Sequence, residues 1–167
     1  MKRFICFAVL IVCINNLSYS QIINETIPKF AESLFTLNKA SVENNIINRG
    51  FKVLTSNELI SLGYEENSIN NLIVGIGDSW ITCKIFLDNA GRNVERVRVG
   101  GVRYLNAQYM INEYRKEGYI MDEDASTRTE LIFVKQTDKF YYFCLVEFMV
   151  EPNVCMANAE FRKVAKK

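Results

Sequence analysis

Apolar and polar side chains alternate over residues 80–88: Ile81, Cys83, Ile85 and Leu87 share one parity, and Trp80, Thr82, Lys84, Phe86 and Asp88 share the other. A period of two belongs to a strand with one buried face, so the odd positions are expected inward. Strand-like runs also cover residues 71–76, 94–102, 130–135, 140–151 and 154–161. Gly77-Asp78-Ser79, Asn89-Ala90-Gly91, Gln136-Thr137-Asp138 and Pro152-Asn153 read as the turns between them. In residues 140–151 both parities are apolar: Phe140, Tyr142, Cys144, Val146, Phe148 and Val150 form one face, while Tyr141, Phe143, Leu145 and Met149 occupy the other. Such a strand wants cover on both sides.

Helical periodicity appears before each group of strands. Ser41 is placed to cap a turn carrying Val42, Ile46 and Ile47 that stops at Gly50-Phe51, and Asn106 to cap one carrying Met110, Ile111 and Tyr114 that stops at Gly118-Tyr119. Residues 56–62 offer a further short helix ended by Gly63. Ahead of these, Thr26 and Pro28 open an amphipathic segment with Ile27, Phe30, Ala31, Leu34, Phe35 and Leu37 on one face. Leu72 then corresponds to Leu131, Trp80 to Phe140 and Val94 to Val154. The expected fold is therefore α+β and two-layered: tandem helix plus three-stranded antiparallel meander repeats, with an extra N-terminal helix. Residues 21–40 supply that helix, 41–103 the first half and 104–167 the second half of one compact unit.

Counting turn residues predicts cross-strand partners. With Gly91 left-handed, Asp88 faces Arg92, Lys84 faces Arg96 and Thr82 faces Arg98, giving a cationic outer face suited to an anionic partner. With Pro152-Asn153 as the second turn, Glu147 pairs with Asn158, Met149 with Met156 and Cys155 with Val150. The second hairpin then carries an apolar strip rimmed by Glu147, Glu151 and Glu160, which is either buried by a helix or exposed for a partner.

The amino terminus changes the setting. Lys2 and Arg3 precede an apolar run over residues 4–14, and Ser18-Tyr19-Ser20 places small residues for cleavage before Gln21. These are the three parts of a secretory signal peptide, so an exported product, periplasmic or secreted after cleavage near Ser20, is expected. The run is too short to span a bilayer as a helix, and Val12 stands where the lipobox-like Leu10-Ile11-Val12-Cys13 wants a small residue. The chain carries 20 Lys and Arg against 19 Asp and Glu, a balance that persists in both halves and makes nucleic acid an unsuitable partner.

Candidate chemistry is sparse. The sequence has no His, which removes Ser/His/Asp and Cys/His hydrolase sites and His-bearing zinc sites. Cys83, Cys144 and Cys155 remain after cleavage and are expected buried and reduced; in the predicted register Cys144 and Cys155 stand about 20 Å apart along their strands, too far for a disulfide. Asp122-Glu123-Asp124 is the densest acidic cluster, but it lacks the Gly and the distal Glu of an EF-hand loop. Gly75-Ile76-Gly77 and Gly100-Gly101 open no helix that would cradle phosphate. No cofactor and no metal site is expected.

The repeated helix plus antiparallel meander, over most of residues 41–161, resembles the tandem layout of secreted β-lactamase inhibitor proteins. The resemblance is architectural and implies that a sheet face binds another protein. The expected function is thus an exported non-catalytic protein-binding module, inhibitor- or immunity-like. Its expected binding residues are Trp80, Tyr141, Phe143 and Met149 as apolar anchors, with Lys84, Arg96 and Arg98 as charge. The alternatives are a carboxylate-based cell-envelope hydrolase centred on Asp122-Glu123-Asp124 and a self-associating envelope structural component.

Overall fold

A computed structural model of the protein describes residues 25–151 and 154–166. The expected signal segment and its cleavage site, and the Pro152-Asn153 turn, lie outside the described residues. Among the described residues, five helices precede or interrupt the strands: α1 Ile27–Leu34, α2 Lys39–Asn48, α3 Ser56–Ser61, α4 Glu66–Ile69 and α5 Ala107–Lys116. The strands are β1 Lys52–Val53, β2 Leu72–Ile76, β3 Thr82–Leu87, β4 Val94–Tyr104, β5 Ile120–Asp122, β6 Glu130–Gln136, β7 Phe140–Glu151 and β8 Val154–Ala165.

All eight strands belong to one antiparallel sheet in the order β1-β2-β3-β4-β8-β7-β6-β5. This corrects the expected two-layer tandem of helix plus three-stranded meander repeats. β4 hydrogen-bonds to β8 along most of its length, so two separate meanders do not exist. Two strands also escaped the pattern, β1 and β5, because two or three residues are too few to display a period of two.

Local chemistry explains the helix ends. Asn38 caps α2 by accepting from the Ser41 backbone N–H at 3.0 Å, so the cap lies three residues earlier than the one expected at Ser41. Asn106 caps α5 as its position suggests, accepting from the Tyr109 N–H at 2.8 Å. α3 begins with a reciprocal capping box between Thr55 and Glu58. Gly50 and Gly118 both end their helices at φ 87, which glycine adopts without steric cost. The aromatic residues that follow them, Phe51 and Tyr119, turn back into the core; Tyr119 N–H donates to Tyr114 O and its ring meets Tyr114 edge-on at 6.0 Å.

One sheet face is closed. Phe30, Ala31 and Leu34 of α1, Val42 and Ile46 of α2, and Met110 and Tyr114 of α5 pack with Cys83, Ile85, Val97, Val99, Phe133, Cys144 and Phe161 in a continuous core. α1 lies over the central strand β4. Its amino-terminal end is held by α5: Glu113 accepts from the Ile27 N–H at 3.1 Å and from the Tyr104 hydroxyl at 3.1 Å, and Thr26 donates to Glu117 at 2.8 Å. Arg49 at the end of α2 meets Glu25 at 2.7 Å.

The other face is closed only at one end. Leu59 and Ile69, from α3 and α4, pack on Leu72 and Val74 of β2 with Phe86 beside them. Among the described residues, no helix packs on this side from β4 across to β5. The reason is the uneven length of the connections: the segment between β1 and β2 is long enough to hold α3 and α4, while β5 to β6 and β6 to β7 are joined by turns.

Candidate functional site

The open half of the outer face is organised by cross-strand register. One row runs Phe86, Arg96, Arg162, Phe143, Val134 and Ile120, from β3 to β5. The adjacent row runs Lys84, Arg98, Glu160, Leu145, Ile132 and Asp122. β8 sits between β4 and β7, so it joins the cationic and the apolar regions into one surface.

The β3–β4 register differs from the sequence expectation by two residues. Lys84 stands opposite Arg98, Thr82 opposite Gly100, and Arg96 opposite Phe86. Two local features combine to cause this: Asp88 N–H bonds to Asn93 O, which lengthens the loop, and a bulge shifts the ladder between Phe86 and Leu87. An even shift keeps every side chain on its expected face and changes only its neighbours.

Those neighbours neutralise much of the cationic face. The Arg96 guanidinium stacks 3.8 Å from the Phe86 ring centroid and lies 3.5 Å from Glu160 Oε1. Arg162 reaches the same oxygen at 2.9 Å, so two guanidiniums share one carboxylate oxygen. Arg98 meets Glu147 Oε2 at 3.0 Å, and Lys84 Nζ lies 5.1 Å from the Tyr64 ring centroid. The arginines are therefore ordered by carboxylates and an aromatic ring rather than left as three repelling charges.

The apolar strip is exposed. Phe143 is 39% exposed, Met149 63% and Ile120 75%, while Tyr141 is half-buried with its ring 6.1 Å from that of Phe143. The structure thus groups Lys84, Arg96, Arg98, Tyr141 and Phe143 on one surface. Met149 lies further along β7 beside Met156. Trp80 stands apart: β3 begins only at Thr82, and Trp80 ends a 3₁₀ turn, Asp78–Trp80, with φ 65 and 83% of its surface exposed. A bulky residue in the left-handed region is held there by its surroundings.

Sequence reasoning placed Leu145 on this face but missed Arg162, Ile132, Val134 and Ile120 as members of the surface, and took Glu160 only for its rim. The alternation of Asn158, Glu160, Arg162 and Val164 in β8 carried the signal, but nothing in it announced that β4 would be the neighbour.

The remaining candidate groups are placed as follows. Cys83, Cys144 and Cys155 are buried and free, and burial pushes the Cys83 thiol up to about 12. Burial likewise raises the Cys144 thiol well above its ordinary range. Asp122-Glu123-Asp124 is exposed where β5 ends at Asp122 and a turn begins, and Asp122 Oδ1 accepts from the Ala125 N–H at 3.1 Å. Among the described residues no group of three His, Cys, Asp or Glu is arranged to hold a metal ion, and no helix is long and apolar enough to cross a membrane. The chain matches no protein-family model, no curated protein and no solved structure.

Proposed function

We propose that the chain is an exported, non-catalytic protein-binding module of the inhibitor or immunity type, engaging its partner through the open half of the outer sheet face. One observation carries this reading: Phe143 and Leu145 on β7 stand exposed in two adjacent cross-strand rows, the first of which continues through Val134 to the exposed Ile120, beside arginines already oriented by Glu160 and Glu147. Contiguous exposed apolar surface rimmed by charge is the usual composition of a protein interface. Aromatic and Met side chains next to ordered arginines are also the types that concentrate binding energy. In this reading Tyr141, Phe143 and Met149 are anchors, and Lys84, Arg96 and Arg98 set orientation, with Arg162 added to them; Trp80, in its turn outside the sheet, is not among them. The three-part pattern of the amino-terminal segment supports export.

The test is a Tyr141→Ala/Phe143→Ala variant used as bait beside the unaltered protein in extracts of the cell envelope. The variant keeps the parent's thermal transition, because both positions lie on the uncovered face, and loses the partner that the parent retains. Retention of that partner by the variant removes this face from the function. A concentration-dependent mass of the parent that the variant abolishes replaces the foreign partner with a second copy.

A further inference from the structure

The contacts of α3 and α4 with the sheet stop at Phe86 of β3, and the uncovered strands β4 and β8 follow. At this border lies a cleft of about 530 Å³, lined by Phe86, Arg96 and Arg162 from the sheet and by Asn67 of α4 and Asn71 just after it. Asn89 of the β3–β4 loop lines it too.

Three features of the cleft specify its occupant. Arg96 and Arg162 are direct cross-strand partners, and like charges facing each other across a ladder are unfavourable. Glu160 offsets both with one oxygen: Arg162 donates to Oε1 through Nε and Nη2 at 3.2 and 2.9 Å, whereas Arg96 stands 3.5 Å from it. Stacking on Phe86 fixes the Arg96 plane, yet among the described residues its guanidinium makes no hydrogen bond. Second, the surrounding charges do not balance. Lys84, Arg96, Arg98 and Arg162 stand against Glu160, the Arg98-bound Glu147 and Glu95, and among the described residues no carboxylate pairs with Lys84. Third, among the described residues the side-chain amides of Asn67, Asn71 and Asn89 hold no hydrogen bond, so they are open to peptide groups.

Building on the reading of this face as a protein-binding surface, we infer that the cleft receives one acidic side chain of the partner protein. Its carboxylate accepts from the open donors of Arg96 and from Arg162, and the peptide groups beside it bond to Asn67, Asn71 and Asn89. The two opposed guanidiniums then share two carboxylates rather than one oxygen. Lys84, two residues from Phe86 and 5.1 Å from the Tyr64 ring centroid, adds a longer-range attraction. Glu95 lines the same cleft and opposes the occupant.

The probe is the blocked tripeptide acetyl-Gly-Glu-Gly-amide, titrated into the protein carrying isotope-labelled asparagine side-chain amides. The expected result is a saturable shift of the Asn67, Asn71 and Asn89 signals with a Kd of about 1 to 10 mM. Asn106, which caps α5 beyond the other end of β4, is unmoved. Arg96→Gln and Arg162→Gln each weaken binding about five-fold or more, and Glu95→Gln tightens it. Arg162 is exposed, so its variant keeps the fold even where loss of the Arg96 stack on Phe86 lowers stability. The uncharged acetyl-Gly-Gln-Gly-amide gives no saturable shift. The inference is overturned if the glutamate peptide leaves all three signals unmoved, if the glutamine peptide binds equally well, if Arg162→Gln binds like the parent, or if Glu95→Gln fails to tighten binding. Because capture through Tyr141 and Phe143 is measured separately, a partner retained by the parent protein without glutamate binding here sinks the cleft assignment alone.

Discussion

The carbonyl oxygen of Trp80 lies 2.8 Å from the position a β-carbon on Gly101 would occupy. Gly101 itself has φ 74, and Trp80 has φ 65, so two left-handed residues meet where the 3₁₀ turn abuts β4 at the slip of its β8 register between Val99 and Val102. Only a residue without a side chain fits there, since the obstacle is backbone. Gly101→Ala is expected to destabilise the fold by about 1 to 3 kcal/mol, from backbone strain and displacement of the turn. Gly100→Ala meets only the side-chain oxygens of Thr82 and Asn158, which can rotate, and should cost less. Chemical denaturation of the two variants checks the order.

The core contains tyrosine hydroxyls in two different situations. Tyr104 donates to Glu113 at 3.1 Å, whereas the Tyr114 hydroxyl is buried with no hydrogen-bond partner of normal geometry. Removing a satisfied buried hydroxyl costs about 1 kcal/mol, while removing an unsatisfied one is neutral or stabilising. Tyr104→Phe should therefore lower the unfolding free energy by about 1 kcal/mol. Tyr114→Phe should leave it unchanged or raise it. A fall of equal size in both variants contradicts the assignment.

Glu113 links stability to pH. Burial raises its carboxyl above the ordinary 4.5, against the lowering effect of the hydrogen bonds from Ile27 N–H and Tyr104, and Glu117 raises it further. A carboxyl raised on folding binds its proton more tightly in the folded chain. Its contribution is fully present below about 4.5 and is lost as pH rises through the folded value. Glu113→Gln keeps an acceptor for both donors and removes the titration. The stability of this variant relative to the parent should therefore rise between pH 4 and pH 7, on the order of one unit either side of the shifted carboxyl. A flat difference across that interval argues against burial as the dominant cause.

Thiol reactivity follows from burial. With burial raising Cys83 to about 12 and Cys144 well above its ordinary range, almost no thiolate exists at these two positions near neutral pH in the folded chain. Cys83, Cys144 and Cys155 should resist a thiol-specific reagent in native buffer and all react on denaturation without reductant. Loss of any of the three signals under those conditions would reveal a disulfide.

Much of the surface was legible before any fold. The alternation from Ile81 to Leu87 assigned the inner face, and the Pro152-Asn153 turn set Glu147 against Asn158 and Met149 against Met156, as the ladder has them. Asn106, Gly50, Gly63 and Gly118 marked helix ends because capping and left-handed φ are properties of single residues. The β3–β4 partners were not legible, since a longer loop and a bulge each add a residue without leaving a distinctive sequence.

Taken alone, the sequence determined which side chains share a face, where most helices stop and that histidine chemistry is excluded. These follow from periodicity, backbone propensity and composition, all of which act over a few residues. Tertiary structure decided that β4 pairs with β8, which merges the strands into one sheet and sets Arg96 and Arg162 on the shared Glu160. It also decided that α1, α2 and α5 all lie on one side, leaving Phe143 and Met149 in solvent. Strand neighbours far apart in sequence are selected by the packing of the whole chain, for which no local pattern is a substitute.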